Sequence, residues 1–272
     1  MDRGSYVPIL MYHQVAADSE IQKPGGRYVL AASDFEEQME LLTHLNYSAV
    51  TLSDFVAYTR GETSLPMKPV IITFDDGYES NYKVAYPILK RFALNAAFFV
   101  VVSHLDSPGS LTVKQMEEMN ADGMSIQSHT LTHPYLIKLD KEQMEKELSE
   151  SKRLLEEQLG LPVRFLAIPH GSYDKAVKKA AREAGYLAML TSDMGLNNRQ
   201  SDSYSLKRIC VDSGIHIAGF ASLLEGKGIL PRRLRQLTLD LLKRFLGVER
   251  YARMKSTFLR RGSFEYLGSE SL

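Results

Sequence analysis

Tryptophan is absent from the 272 residues, and cysteine occurs once, at position 210. A single cysteine excludes an internal disulfide and any metal site built on several thiolates. Flanked by Ile209 and Val211, Cys210 reads as a buried strand thiol rather than a nucleophile. Net charge is missing as well: 33 Lys and Arg balance 33 Asp and Glu. That balance argues against a dedicated nucleic-acid binder, which needs a basic surface. No apolar run reaches the length of a membrane span. The run Val7 to Tyr12 is too short for the core of a signal peptide. As written, the chain is therefore expected in the cytoplasm or at a membrane periphery. It belongs outside the cytoplasm if a leader has been removed. Internal repeats and low-complexity tracts are lacking too.

The chain is long enough for one large domain or two small ones, and 44% hydrophobic residues can fill a sizeable core. Short apolar runs at Val7–Tyr12, Tyr47–Leu52, Val70–Phe74, Asn95–Val101, Met124–Gln127, Arg164–Ile168, Leu187–Thr191 and Leu206–Val211 read as strands. Helical segments separate them. Ser33-Asp34, Ser53, Asp140 and Ser172 are expected helix starts, and Gly160 a helix stop. Tyr82 to Phe92 is also expected to be helical, with Pro87 as a blemish. Such alternation implies an α/β fold of parallel strands with crossover helices. Pattern alone leaves a barrel and an open sheet equally available.

Val70-Ile71-Ile72-Thr73-Phe74 runs directly into Asp75-Asp76-Gly77-Tyr78. A buried strand thus ends in two adjacent carboxylates, which resist ionising together unless a cation or donors hold them. Downstream, Ser128-His129-Thr130-Leu131-Thr132-His133-Pro134 places two imidazoles four residues apart. Proline after His133 disfavours helix there, so the pair is expected on a turn. Asp76, His129 and His133 offer the carboxylate and imidazole ligands that catalytic zinc favours. A divalent ion, zinc before cobalt or nickel, would make water nucleophilic near neutral pH, and Asp75 is left free to take its proton.

These two stretches resemble the first two motifs of the polysaccharide deacetylases, the NodB-homology group or carbohydrate esterase family four. The resemblance runs from about Pro8 to Phe220. It implies a distorted, incomplete (β/α) barrel of about seven parallel strands, with the site at the strand carboxyl ends. It also implies a metal-dependent N-deacetylase of N-acetylglucosamine-type sugars in a polysaccharide or glycolipid. In it Asp75 is the base and Asp76, His129 and His133 are the ligands. Phe165-Leu166-Ala167-Ile168-Pro169-His170-Gly171 resembles the third motif, with His170 at a usual aromatic position and Ala167 at a frequent arginine. The backbone N–H of His170 would help hold the oxyanion, beside Pro169 and Gly171. Leu10-Met11-Tyr12-His13 resembles a strand of the poly-N-acetylglucosamine deacetylase branch, so His13 is expected at the substrate or near the metal.

The Leu-x-His of the fifth motif, source of the leaving-group acid, is missing. His170, His13 and His216 are the candidates for that acid. Asp193 is a poor match to the fourth motif's aspartate. Without tryptophan, sugar stacking would fall to tyrosines such as Tyr78 and Tyr135. Two alternatives remain open: a hydrolase of another linear or cyclic amide, and a non-catalytic glycan-binding relative.

Composition shifts near Gly226, so the expected division is a catalytic domain over 6–225 and a tail over 226–272. The tail carries eleven Lys or Arg against four Asp or Glu. Leu234, Leu237, Leu241, Leu242 and Phe245 share one helical face there. A basic amphipathic helix of this kind suits either packing on the barrel or peripheral contact with an anionic membrane.

Overall fold

The computed structural model describes residues 6–21 and 26–229; the basic helical tail beyond 229 lies outside the described residues. Ten strands and seven α-helices follow one another in these residues. β1 (Ile9–Tyr12), β2 (Gln14–Ala16) and β3 (Val29–Ala31) lead into α1 (Ala32–His44), and β4 (Ser48–Ala49) into α2 (Leu52–Arg60). β5 (Pro69–Phe74), α3 (Tyr86–Arg91), β6 (Ala97–Val100), α4 (Val113–Ala121), β7 (Ser125–Ser128) and α5 (Lys141–Leu159) come next. β8 (Phe165–Ala167), α6 (Lys175–Glu183), β9 (Ala188–Met194), β10 (Leu206–Cys210) and α7 (Ile217–Leu224) complete the order.

Seven parallel strands close into a barrel, in the order β1-β10-β9-β8-β7-β6-β5 and back to β1. Short β4 pairs only with the start of β5, Ser48 opposite Pro69. A separate parallel pair, β2 and β3, sits beside the barrel.

The strands alternate with a period of two between two apolar clusters. Leu10, Tyr12, Ile72, Phe74, Phe98, Ile126, Leu166 and Met189 join the large cluster with the helices. Ile9, Ile71, Ala97, Phe99, Phe165, Ala167, Ala188, Leu190 and Leu206 form the other, which fills the barrel. Leu52, Phe55 and Val56 of α2 pack with this inward set, so α2 closes the amino-terminal end of the barrel. The opposite end stays open for chemistry, as is usual for parallel barrels. Among the described residues no helix is long and apolar enough to cross a membrane.

Local signals succeed where the cap is a side chain adjoining the helix. Asp140 and Gln143 form a reciprocal capping box on α5, and Gly160 ends that helix in the left-handed region at φ 65°. Other starts differ from expectation. α1 begins at Ala32 without its own side-chain cap; the Ser33 N–H donates instead to Asp18 Oδ1 at 3.1 Å. Thr51, not Ser53, caps α2, and Asp174, not Ser172, caps α6. Pro87 causes no break, because the segment splits into a π-helical turn, Asn81–Ala85, and α3, whose first turn accommodates the proline.

Phe55 is fully buried in the plug. Phe55→Ala should therefore cost about 3–5 kcal/mol, as for other large core truncations. Urea unfolding would measure this, and the far end of the barrel should keep its metal affinity.

Candidate active site

Asp75 and Asp76 leave β5 at the open end of the barrel and diverge at once. Asp75 continues the inward alternation of Ile71 and Thr73 and is 3% exposed. Asp76 and Gly77 both turn into the left-handed region, each at φ 72°. That turn swings Asp76 out of the barrel axis toward β7. A Cβ on Gly77 would crowd Val100 Cγ1 at 3.1 Å, so the close approach itself demands glycine.

A buried carboxylate needs a partner, and Arg208 provides it. This side chain follows Leu206 inward along β10 and is 1% exposed. Its two terminal nitrogens each donate to one oxygen of Asp75 at 2.7 Å, a bidentate pair. Its Nε donates to the Thr191 carbonyl at 2.9 Å, so the fork cannot rotate away. Burial alone would raise the Asp75 pKa; the Arg208 charge outweighs it and holds the group below its usual value. Asp75 is thus ionised throughout the neutral range.

Asp76 meets the two imidazoles. Both His129 Nε2 and His133 Nε2 lie 3.4 Å from Asp76 Oδ1. The three ligand atoms fall within 4.8 Å of one another, close enough to share one cation. His129 is buried, and its other nitrogen, Nδ1, pairs with the Ala167 carbonyl at 2.8 Å. That bond puts the proton on Nδ1 and leaves Nε2 as a lone-pair donor, the usual outer support of a metal-binding histidine. The residues present therefore fit a divalent ion, with Asp76, His129 and His133 to hold it.

The turn carrying the histidines is built under strain. Thr130 (φ 68°) and His133 (φ 63°) are both left-handed, and Thr130 is β-branched. Glu147 of α5 compensates: its carboxylate accepts from the Leu131 N–H at 3.0 Å, the Thr132 N–H at 2.9 Å and the Thr132 hydroxyl at 2.6 Å. The Thr130 hydroxyl accepts from the His133 N–H at 3.1 Å. The pair thus lies on a turn as its proline implied, although His133 takes up left-handed rather than extended geometry.

Pro169, His170 and Gly171 form a tight turn after β8, with His170 at φ 59° and Gly171 at φ 67°. A Cβ on Gly171 would come within 2.6 Å of Ser192 Cβ. The His170 imidazole stacks on Tyr135 (centroids 3.8 Å) and meets His133 edge-on at 4.6 Å. Lost solvation and then the neighbouring His133 charge lower its pKa to about 4. Tyr135 is thereby engaged by a protein ring, which corrects its reading as a free sugar platform; Lys138 also sits over its ring at 4.8 Å. Tyr78 lies at the rim, its phenol pushed up to about 12 by burial, by the Asp76 charge and by hydrogen bonding to Asp76.

His13, just past β1, feels the charges of Asp75, Asp76, Arg208 and His129; burial nonetheless lowers its pKa. Its ring packs on Tyr28 at 4.6 Å. His216 stands apart from this group, exposed at the start of α7. Asp193 accepts from the Tyr173 hydroxyl at 2.8 Å. Burial pushes the Cys210 thiol up to about 12, so it is inert, as its apolar flanks imply.

Sequence reasoning overlooked Arg208 and Glu147. Arg208 has a weak signal, a charge at an inward strand position, but Lys207 beside it looks the same without the barrel register. Glu147 is one of many glutamates on α5 and has no signal of its own.

Two measurements check this arrangement. Arg208→Met would strand a buried carboxylate, raising the Asp75 pKa in an NMR titration. It should also cost about 3–5 kcal/mol in urea unfolding at neutral pH. On His129, burial opposes the proton but the Asp75 and Asp76 charges prevail, so its pKa is raised in the metal-free protein. A proton there competes with a cation. Zinc affinity should fall as pH drops through that raised value, with calorimetric proton release that disappears at higher pH.

Comparisons with known proteins follow the same lines. A family model described as polysaccharide deacetylase matches residues 62–189. "Putative polysaccharide deacetylase YxkH" of Bacillus subtilis is 31% identical over 224 residues, 82% of this chain and 78% of that protein. A poly-beta-1,6-N-acetyl-D-glucosamine N-deacetylase of Staphylococcus epidermidis is 27% identical over 200 residues, 68% of this chain and 69% of that one. The structure of the Streptococcus pyogenes deacetylase PplD in complex with acetate superposes with a TM-score of 0.77 at 27% identity, covering 81% of this chain and 99% of that one. With this barrel, this carboxylate pair and a relative alike over most of both chains, the chain belongs to the polysaccharide deacetylase family.

Proposed function

We propose that the protein is a metal-dependent hydrolase that removes N-acetyl groups from N-acetylglucosamine-type sugars of a polysaccharide or glycolipid. The observation that carries this reading is the convergence of Asp76, His129 and His133 beside Asp75, a carboxylate kept charged by Arg208. The Staphylococcus epidermidis relative, named for a β-1,6-linked N-acetylglucosamine polymer, supports the substrate class. Zinc suits the ligand set best, with cobalt or nickel as substitutes.

When bound, the ion would activate water and polarise the acetamide carbonyl. Asp75 takes the proton of the attacking water, because it is ionised and lies next in sequence to the ligand Asp76. The His170 N–H, presented by the left-handed turn at Pro169–Gly171, donates to the developing oxyanion. The His170 ring serves as a wall; a pKa of about 4 leaves it neutral at working pH. His13 faces the leaving amine from the β1 side, since it is the one of the three acid candidates that senses both carboxylates. Tyr78 closes the rim next to Asp76 and would contact the sugar.

Residues 6–225 would form the catalytic domain and 226–272 a basic extension that contacts anionic membrane surfaces peripherally. Outside residues 226–229, that segment is beyond the described residues.

Acetate release from N-acetylglucosamine oligomers, β-1,4 and β-1,6 linked, should be seen with zinc and lost with chelator. Asp75→Asn should lower turnover at least about a hundredfold while the protein still binds zinc. Hydrolysis of cyclic ureides or imides with no acetate release would favour a different amide hydrolase. Oligomer binding without turnover would favour a glycan-binding protein.

A further inference from the structure

Four buried side-chain atoms among the described residues lack a hydrogen-bond partner: His13 Nδ1, Ser80 Oγ, and both Asn81 Nδ2 and Oδ1. They do not scatter. His13 follows β1, and Ser80–Asn81 follow β5, its neighbour in the barrel. Directly after His13, β2 packs against the π-helical turn that Asn81 begins. All four atoms thus belong to one seam behind the catalytic carboxylates.

Asn81 is fully buried. An unpaired buried amide costs about 1–3 kcal/mol per group, and leucine would fill the same volume without that cost. A polar seam with several donors and acceptors is where ordered buried water belongs, since such a water needs two to four polar partners. Asn81 offers a donor and an acceptor, Ser80 a hydroxyl, and His13 a ring nitrogen.

This matters for His13 because its two nitrogens face different surroundings. Nδ1 is the buried atom in the seam, which leaves Nε2 for the mouth, where the Asp75 and Asp76 charges act on the ring. Negative charge on that side favours the tautomer with hydrogen on Nε2 and a lone pair on Nδ1. A donor in the seam holds that tautomer. We propose that Asn81 is a positioning residue: through seam water it donates to His13 Nδ1 and so aims the Nε2–H at the leaving nitrogen of the substrate. No covalent step is added; the seam selects a tautomer and a ring orientation.

The kinetic consequence rests on the proposed deacetylase reading, whereas the tautomer does not. Long-range proton–nitrogen NMR on the metal-free protein reads the His13 tautomer directly. Wild type should show hydrogen on Nε2 with Nδ1 as acceptor, and Asn81→Leu a mixture of tautomers. In the zinc-loaded protein, Asn81→Leu should lower kcat about tenfold, with KM within twofold, the scale expected for an outer hydrogen-bond partner. Asn81→Ser, which restores a polar group and leaves room for another water, should recover the tautomer and most of kcat. It also serves alone if the leucine variant does not fold. A His13 tautomer unchanged in folded Asn81→Leu, or found with hydrogen on Nδ1 in wild type, would overturn the inference. So would Asn81→Ser behaving no better than a folded leucine variant. If the tautomer shifts but no variant releases acetate, the seam stands and the deacetylase reading falls.

Discussion

A carboxylate enclosed in a barrel cannot stay charged without a cation to hold it, and the Asp75–Arg208 pair meets that constraint. Desolvating either ion alone costs several kcal/mol. Bidentate geometry and the extra bond to the Thr191 carbonyl recover that cost, and they also orient Asp75. The pair spans β5 and β10, which are not neighbours in the sheet; β1 lies between them. Barrel closure is therefore a precondition of the site, because in an open sheet those strands would not face each other across a lumen. The Phe55 plug below and the Asp75–Arg208 pair above occupy opposite ends of one inward-facing column.

The rim is arranged on a second constraint, backbone strain. Asp76, Thr130, His133 and His170 all adopt left-handed conformations that non-glycine residues rarely take. Each turns a side chain or an N–H toward the same point. The surrounding structure supplies the compensation: Glu147 satisfies two amides and a hydroxyl of the histidine turn, and Ser192 crowds Gly171 closely enough to fix that loop. Strain of this kind persists where neighbours over-determine the backbone, and it keeps the ligands pre-organised before any ion arrives.

Much of this was legible in the chain. Strand and helix alternation gave the α/β class, and the two motif stretches placed their carboxylates and imidazoles at strand ends, because burial and turn chemistry are local properties. Asp140 and Gly160 marked α5 for the same reason. Expectation missed where a partner was distant in sequence. Ser33-Asp34 looked like a cap, but Asp18 from the preceding loop does that work. Tyr135 looked available for sugars, but His170 from another loop stacks on it.

By itself the sequence determined which residues are apolar at period two, where the chain must turn, and which side chains can bind a cation or accept a proton. Only the tertiary structure decided that seven strands close, that Arg208 rather than Lys207 points inward, and that Glu147 among its many neighbours braces the histidine turn. The physical reason is one of register. Whether a side chain faces the lumen, a helix or water depends on how strands far apart in the chain align, and a shift of one residue would exchange those surroundings.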